Sequence, residues 1–226
     1  MNTVAVCLAA SRWKPRRTRP ILDWTIEAAV AEQGFQAICG IDEAGRGPLA
    51  GPVCAAAVIL PFGCTIDGLN DSKKLTEKKR EQLFDTIQEQ ALAYAIALVD
   101  HETIDRINIL EATYVAMQQA VERLHPAADY ALVDGNRSKG LVIPHQCVVG
   151  GDAKSPSIAA ASILAKVTRD RLMLEQDALY PAYGFAKHKG YGTKAHYQAI
   201  LEHGPSPIHR MTFLKKFYDK HPEARP

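Results

Sequence analysis

The sequence lacks any long hydrophobic run. Its longest apolar stretch, residues 53–60, has the length of a β-strand and falls far short of the roughly 20 residues that cross a bilayer. The mildly apolar residues 1–10 precede the nearest basic cluster, which is the reverse of the order in a secretory signal. These absences argue against a membrane or secreted protein, and we expect a cytoplasmic one.

The sequence also lacks the cysteine pairing that a disulfide framework or a zinc site requires. Its cysteines are odd in number and contain no CxxC pair: Cys7, Cys39, Cys54, Cys64 and Cys147. It contains no internal repeat and no low-complexity tract. With 226 residues, of which 47% are hydrophobic and 23% charged, it is typical of one globular domain with a small appendage.

Positive charge is concentrated in two places, although the net charge is only +2. Residues 12–19 contain five Lys or Arg and no acid, and residues 181–220 contain seven against two acids. Local basicity of this kind suits a polyanionic partner. Charge alone equally favours a solvated tail and a solvated helical face, so this observation leaves both interpretations open.

Hydrophobic periodicity predicts an α/β fold. Buried strands are expected at residues 37–41, 53–60, 92–99, 130–133 and 143–149. Helices are expected at residues 76–90, from Asn108 towards Pro126, and across 158–173, with Thr76, Asn108 and Ser155 at their starts. The first three strands form a meander, and the order of elements predicts a mixed sheet with flanking helices.

Four carboxylates follow predicted strands: Asp42 and Glu43 close the first, and Asp134 and Asp152 close two later ones. If they converge at one rim of the sheet, they repel each other unless protons or divalent cations neutralise them. Mg²⁺ and Mn²⁺ prefer oxygen ligands, and two such ions can hydrolyse a phosphodiester without a covalent intermediate. Any one of these acids alone is better explained as a turn or helix cap. Together they predict a metal site.

A glycine-rich turn follows the first acidic pair. Gly45, Arg46 and Gly47 allow the backbone to approach a sugar closely, including its 2′-hydroxyl. Tyr191, within Lys-Gly-Tyr-Gly, could complement this turn by stacking on a sugar, or it could pack at the edge of the core. Lys73 lies in a loop before a helix and either contacts a nucleic-acid backbone or is a solvated lysine.

Several motifs together resemble bacterial ribonuclease HII over residues 38–213. The motifs occur in the family's order and spacing, and they are Asp42-Glu43-Ala44-Gly45-Arg46-Gly47, Asp71-Ser72-Lys73-Lys74-Leu75, Val133-Asp134-Gly135-Asn136, Gly151-Asp152-Ala153-Lys154-Ser155 with residues 157–166, and His188-Lys189-Gly190-Tyr191-Gly192-Thr193.

The resemblance implies a ribonuclease H-like mixed five-stranded sheet with flanking helices and a small C-terminal helical segment. It implies metal binding and catalysis by Asp42, Glu43, Asp134 and Asp152, with Mn²⁺ or Mg²⁺, two ions when substrate is bound. We expect the remaining substrate contacts from the glycine turn, the tyrosine, and three residues that meet phosphate: Lys73, Lys154 and Ser157. The chain divides into a peripheral extension (1–35), a catalytic domain (36–210) and a C-terminal helix and tail (211–226).

The implied activity is cleavage of the RNA strand of RNA–DNA hybrids and of DNA on the 5′ side of an embedded ribonucleotide, leaving 3′-hydroxyl and 5′-phosphate ends. The sequence departs from the family pattern in two places. Residues 12–19 have no counterpart in the family, and Thr212 stands where the family commonly has Ser. The alternatives are a hybrid-binding protein without activity and a carboxylate-metal nuclease of DNA junctions. We expect a monomer and leave a sliding-clamp partner open.

Overall fold

The computed structural model describes residues 22–222, and these residues form a sheet with helices on both faces. The strands are β1 (Ile38–Ala44), β2 (Val53–Ile59), β3 (Ala93–Val99), β4 (Tyr130–Asp134) and β5 (His145–Val148). Their order is β3-β2-β1-β4-β5, with β1, β2 and β3 antiparallel and β4 and β5 parallel to β1. The predicted α/β fold with a three-strand meander is confirmed. The basic residues 12–19 lie outside the described residues.

The helices connect and cover these strands. They are α1 (Thr25–Ala31), α2 (Glu77–Gln90), α3 (His101–Ile107), α4 (Ile109–Glu122), α5 (Pro156–Leu179), α6 (Phe185–His188), α7 (Lys194–His203) and α8 (Met211–Tyr218), with 3₁₀ turns at Ser72–Lys74, Gly151–Ala153 and Pro181–Tyr183. Among the helices of residues 22–222, none combines the length and the apolar character that crossing a membrane demands.

The predicted helix starts are confirmed. The side chains of Thr76, Asn108 and Ser155 each accept a hydrogen bond from an amide in the first turn of the helix that follows. The Glu111 carboxylate, three residues after Asn108, accepts a hydrogen bond from Lys139 Nζ at 2.9 Å. Side-chain oxygens thus satisfy amides that a helix leaves without partners.

Small residues bring the helices close to the sheet. Helix α5 lies against β1 and β2, where a Cβ added to Gly40 would be 2.1 Å from the backbone carbon of Ser157. Helix α4 covers the opposite face with its buried alanines, including Ala112 and Ala116. The helix expected across residues 158–173 is therefore present within α5, and it packs so closely on the sheet that Gly40 has no room for a side chain.

Helix α1 packs against this framework although it falls within residues 1–35. Glu27 and Val30 are buried, and the Glu27 carboxylate accepts a hydrogen bond from Ser155 Oγ at 2.6 Å. Folded structure therefore begins before Gln36, where the sequence placed its start. The division of the whole chain at residues 35 and 210 stays a prediction.

The C-terminal helices form a separate cluster beside the sheet. Leu49, Ala50, Phe185, Ile200 and Leu214 share one buried apolar group. Since Leu49 and Ala50 come from the loop between β1 and β2, this cluster fixes the small helical segment next to the glycine turn.

Candidate active site

Asp42 and Glu43 come from the same strand but point to opposite faces of the sheet. Side chains alternate along a strand, so Asp42 shares the α5 face with Gly40, whereas Glu43 shares the α4 face with Ile41. Asp42 is buried, and its Oδ1 accepts a hydrogen bond from the Glu43 amide at 2.7 Å. The acidic pair therefore straddles the end of β1.

Three of the four predicted acids converge. Carboxylate oxygens of Asp42, Asp134 and Asp152 all lie within 4.8 Å of one another, and among residues 22–222 these three form the group that could hold a metal ion. Asp134 ends β4, the parallel neighbour of β1. The expectation that Asp152 closes a strand is wrong, since β5 ends at Val148 and Asp152 lies in the following 3₁₀ turn.

The 3₁₀ turn is tied directly to the neighbouring strand. The Gly151 amide donates a hydrogen bond to Asp134 Oδ1 at 2.7 Å. A side chain on Gly151 would also meet Ile158 Cδ1 at 2.5 Å. The turn therefore sits tightly against the end of β4, which brings Asp152 to the other two acids.

Glu43 lies beside the three-acid group and contacts Arg46 instead. Its Oε1 is 3.1 Å from Arg46 Nη1. The negative charge of Asp134 contributes to raising the pKa of Glu43, after the larger effect of burial. The charge of the acid cluster thus acts on Glu43, while the Glu43 carboxylate itself forms an ion pair with Arg46.

The electrostatics of the cluster favour neutralisation. Burial, then the charges of Glu43 and Asp134, raise the pKa of Asp42 well above its ordinary value. Burial and the charge of Asp134 also raise the pKa of Asp152. Ionised carboxylates are unfavourable in this cluster without a positive partner. A hard divalent cation prefers oxygen ligands and supplies that positive charge, so the cluster fits such an ion.

Lys73 provides part of that positive charge in the structure. Its Nζ lies 3.8 Å from Asp152 Oδ2. Burial opposes its charged form, but the carboxylates of Asp42 and Asp152 outweigh this and raise the Lys73 pKa. Lys73 was predicted to meet phosphate, and its ammonium group stands at the rim of the acid cluster with most of its side chain exposed.

A cleft of about 230 Å³ is lined both by the acidic pair at the end of β1 and by the predicted ribose-reading residues. Its lining includes Asp42, Glu43, Lys73, Tyr191 and the turn 45–47. A Cβ on Gly47 would lie 3.4 Å from Tyr191 Cε1, so the tyrosine ring packs beside the glycine turn. Residues that are far apart in the sequence therefore share one cleft.

Two buried arginines, which sequence reasoning missed, hold the loop 45–52, which begins with the glycine turn. Arg169 donates to the carbonyl oxygens of Ala50, Pro52 and Lys189. Arg210 donates to those of Gly45, Arg46, Pro48 and Gly51. Burial lowers the pKa of both, that of Arg210 to about 9. The sequence signal that could have indicated Arg169 is its position at the end of the apolar stretch of α5.

Gly45 is required by this arrangement. Its φ is +92°, and a Cβ there would lie 2.0 Å from Arg169 Nε. A larger residue would therefore meet both backbone strain and the guanidinium group.

The other two predicted phosphate contacts lie elsewhere. Lys154 is exposed and donates to the Val149 carbonyl oxygen at 2.6 Å. Ser157 is buried in the first turn of α5, with its Oγ enclosed. The expectation that Ser157 meets phosphate is not supported, because α5 packs this turn against β1. Thr212, the departure from the family pattern, donates its hydroxyl hydrogen to Asp105 Oδ1.

The chain matches known proteins over most of its length. The family model described as Ribonuclease HII matches residues 39–216. Ribonuclease HII of Geobacter sulfurreducens is 60% identical over 190 residues, which cover 84% of this chain and 88% of the relative.

Solved structures share the fold. Ribonuclease H2 from Pyrococcus horikoshii OT3 has a TM-score of 0.69 and 27% identity, covering 83% of this chain and 100% of that one. RNase HII from Archaeoglobus fulgidus, solved in complex with PCNA, has a TM-score of 0.63 and 25% identity over 78% of this chain and 94% of that one. The architecture is thus that of the ribonuclease H-like fold.

The family is one of hydrolases that act on RNA–DNA hybrids with divalent metal ions. The fold, the cluster of three carboxylates and the extent of the sequence match agree, and the chain belongs to the ribonuclease HII family.

Proposed function

We propose that this chain cuts the RNA strand of RNA–DNA hybrids and cuts DNA on the 5′ side of a single embedded ribonucleotide. The products would carry 3′-hydroxyl and 5′-phosphate ends. One observation carries the proposal: Asp42, a member of the group of three clustered carboxylates, lines the same cleft as the turn 45–47 and Tyr191. A site that combines metal ligands with groups able to contact one sugar suits cleavage beside a ribose.

Asp42, Asp134 and Asp152 would hold the divalent cation, with Glu43 as a fourth oxygen ligand once it leaves Arg46. The cation would be Mn²⁺ or Mg²⁺, and two ions would bind when substrate is present. Such ions would activate water and stabilise the leaving oxygen. The pKa values of Asp42 and Asp152, raised by burial and by neighbouring carboxylates, support binding of a cation in place of protons.

The chain's own residues would position the duplex. The turn 45–47 is held from behind by the Arg210 guanidinium group, which donates to the Gly45 and Arg46 carbonyl oxygens, and its backbone would approach the ribose 2′-hydroxyl. The side chain of Tyr191 is 45% exposed and would lie against the sugar. Arg46 and Lys73, both largely exposed at the cleft, would contact phosphates.

The decisive experiment is a nicking assay on a duplex with one embedded ribonucleotide, with Mn²⁺ and Mg²⁺ varied and the cut mapped. Asp134→Asn should keep binding to the hybrid and lose nearly all cleavage, whereas the exposed Asp85→Asn should cut like the wild type. Cleavage by Asp134→Asn within a few fold of wild type would remove Asp134 from the site.

Controls on the same assay separate the alternatives. A hybrid-binding protein without activity would bind the duplex with and without a chelator and never cut it. A carboxylate-metal nuclease of DNA junctions would cut an all-DNA substrate, which has no 2′-hydroxyl for the glycine turn to contact.

We further propose that the chain acts as a cytoplasmic monomer. The complex of the Archaeoglobus fulgidus protein with PCNA supports testing a sliding clamp as a partner. Size-exclusion chromatography of the chain alone would test the monomer, and chromatography with a clamp would test that partner.

A further inference from the structure

A chain of buried histidines lies behind Tyr191. The imidazole rings of His196 and His209 are both fully enclosed, and their Nε2 atoms are 3.0 Å apart. At one end of the chain, His196 Nδ1 lies 2.9 Å from the Tyr191 carbonyl oxygen. At the other end, the Ser206 amide lies 2.8 Å from His209 Nδ1.

The chemistry of the two ends fixes where each proton sits. The Ser206 amide can only donate, so His209 Nδ1 accepts and His209 Nε2 carries the hydrogen. His209 Nε2 then donates to His196 Nε2, which leaves the hydrogen of His196 on Nδ1. His196 Nδ1 donates in turn to the Tyr191 carbonyl oxygen. Both imidazoles are neutral, and all the bonds run in one direction, from Ser206 to Tyr191.

A third histidine holds the same turn from its other side. The Gly190 amide donates to His188 Nδ1 at 3.2 Å, so His188 Nε2 donates to the Tyr183 carbonyl oxygen at 2.9 Å. The His188 and His196 rings stack with centroids 4.4 Å apart. The backbone on both sides of the Gly190–Tyr191 peptide is therefore hydrogen-bonded to imidazoles, that of the buried His196 and that of the partly buried His188.

The turn has little room to move. A Cβ on Gly190 would lie 2.8 Å from the Ala50 carbonyl oxygen, and the Leu49 amide donates to the Gly190 carbonyl oxygen at 2.8 Å. The Tyr191 side chain nevertheless projects into the cleft beside Gly47. The direction of its ring is thus set by a backbone that the histidines hold in place.

We propose that His196 and His209 are positioning residues that aim the Tyr191 ring at the sugar and thereby set the preference for a ribonucleotide. This inference rests on the function proposed above. It assigns the histidines no contact with substrate, because both are buried and act through the Tyr191 carbonyl oxygen.

Two substitutions of His196 test the donor and acceptor pattern. His196→Phe keeps an aromatic ring but removes the donor to Tyr191, and cleavage at a single ribonucleotide should fall about tenfold, as expected for one lost hydrogen bond to a buried group. His196→Gln keeps one donor and one acceptor, and its rate should stay within about threefold of wild type. His203→Gln, an exposed change on the same helix α7, is the matched control.

A double-mutant cycle with Tyr191→Ala separates positioning from general destabilisation. If His196 acts through Tyr191, His196→Phe should reduce the rate about tenfold in the wild type and less than twofold in the Tyr191→Ala background. Equal reductions in the two backgrounds would overturn the inference. The fold-difference is read as kcat/KM for one embedded ribonucleotide, with Mn²⁺ affinity measured in parallel and expected to be unchanged.

Nitrogen NMR of the imidazoles tests the histidine chain without any reaction. The wild type at pH 7 should show hydrogens on Nδ1 of His196 and on Nε2 of His188 and His209. A different tautomer of His196 or His209 would refute the arrangement even if His196→Phe does not fold. Wild-type protein that shows these tautomers but cuts no ribonucleotide-containing duplex would instead refute the proposed function.

Discussion

The buried histidines make stability depend on pH by an amount that follows from their pKa values. Burial, the largest cause in each case, lowers the pKa of His196 from 6.5 to about 4 and that of His209 to about 3. Unfolded chains therefore bind protons on these residues below pH 6.5 while the folded protein does not. The stability that the neutral rings provide is complete above pH 6.5 and falls as the pH drops towards 4.

The magnitude can be worked out from proton linkage. Between pH 7.5 and pH 5, each histidine lowers the free energy of unfolding by about 2 kcal/mol, or about 4 kcal/mol for the pair. The raised pKa values of Asp42 and Asp152 act in the opposite direction, because their folded forms take up protons more readily. The histidine contribution must therefore be isolated by comparison with a variant that retains the acids.

The assay is urea unfolding of the wild type and of a His196→Gln/His209→Gln variant in a chelator, at pH 7.5 and pH 5. The acids contribute equally to both proteins, so the wild type should lose about 4 kcal/mol more than the variant between the two pH values. A difference of less than about 1 kcal/mol would show that the rings are protonated in the folded state, and it would refute the reasoning.

Two further predictions concern the acids and the sheet. Asp42→Asn should raise the free energy of unfolding of the metal-free protein by about 1–2 kcal/mol, because it removes a buried carboxylate that its neighbours repel. The same substitution should abolish the thermal stabilisation by Mn²⁺, and calorimetry measures both effects. Gly40→Ala should lower the free energy of unfolding by about 1–3 kcal/mol, since the new Cβ would lie 2.1 Å from the Ser157 backbone; unchanged unfolding in urea would show that α5 can move away from β1.

Much of the fold was accessible from the sequence because its patterns are local. Buried strands, helix caps at Thr76 and Ser155, and glycine-rich turns depend on residues that are close in the chain. The strand order was not accessible in this way, since the pairing of β1 with β4 joins residues about ninety positions apart. The resemblance to ribonuclease HII supplied the fold family, a ribonuclease H-like mixed sheet, and no strand order was predicted.

The site was predicted in part for a similar reason. Asp42 and Asp134 lie at the ends of strands that the hydrophobic pattern predicts. Asp152 instead reaches them through a 3₁₀ turn, which hydrophobic periodicity does not predict. Side chains alternate between the two faces of β1, so Glu43 and Asp42 point in opposite directions although they are adjacent in the sequence. Ser157 was misjudged because its motif neighbours are at the surface while it faces the sheet.

The contacts behind the cleft were missed altogether. Arg169, Arg210, His196 and His209 are polar residues in buried positions, and composition alone assigns such residues to the surface. Their partners are mostly backbone carbonyl oxygens, which carry no mark in the sequence. Only the three-dimensional arrangement shows that all four lie behind the loop 45–52 and Tyr191, where they hydrogen-bond to the backbone or to one another.

The two arginines behind the glycine turn have a consequence for recognition. Six carbonyl oxygens between Gly45 and Pro52 point inward to guanidinium groups, so this backbone is already ordered before any nucleic acid arrives. A flexible loop would lose about 1–2 kcal/mol of conformational entropy per residue on docking, and here that loss belongs to folding. If the turn contacts the ribose as proposed, tight packing in the interior would produce selectivity at the surface, because a rigid turn cannot change its shape to fit a sugar that lacks the hydroxyl.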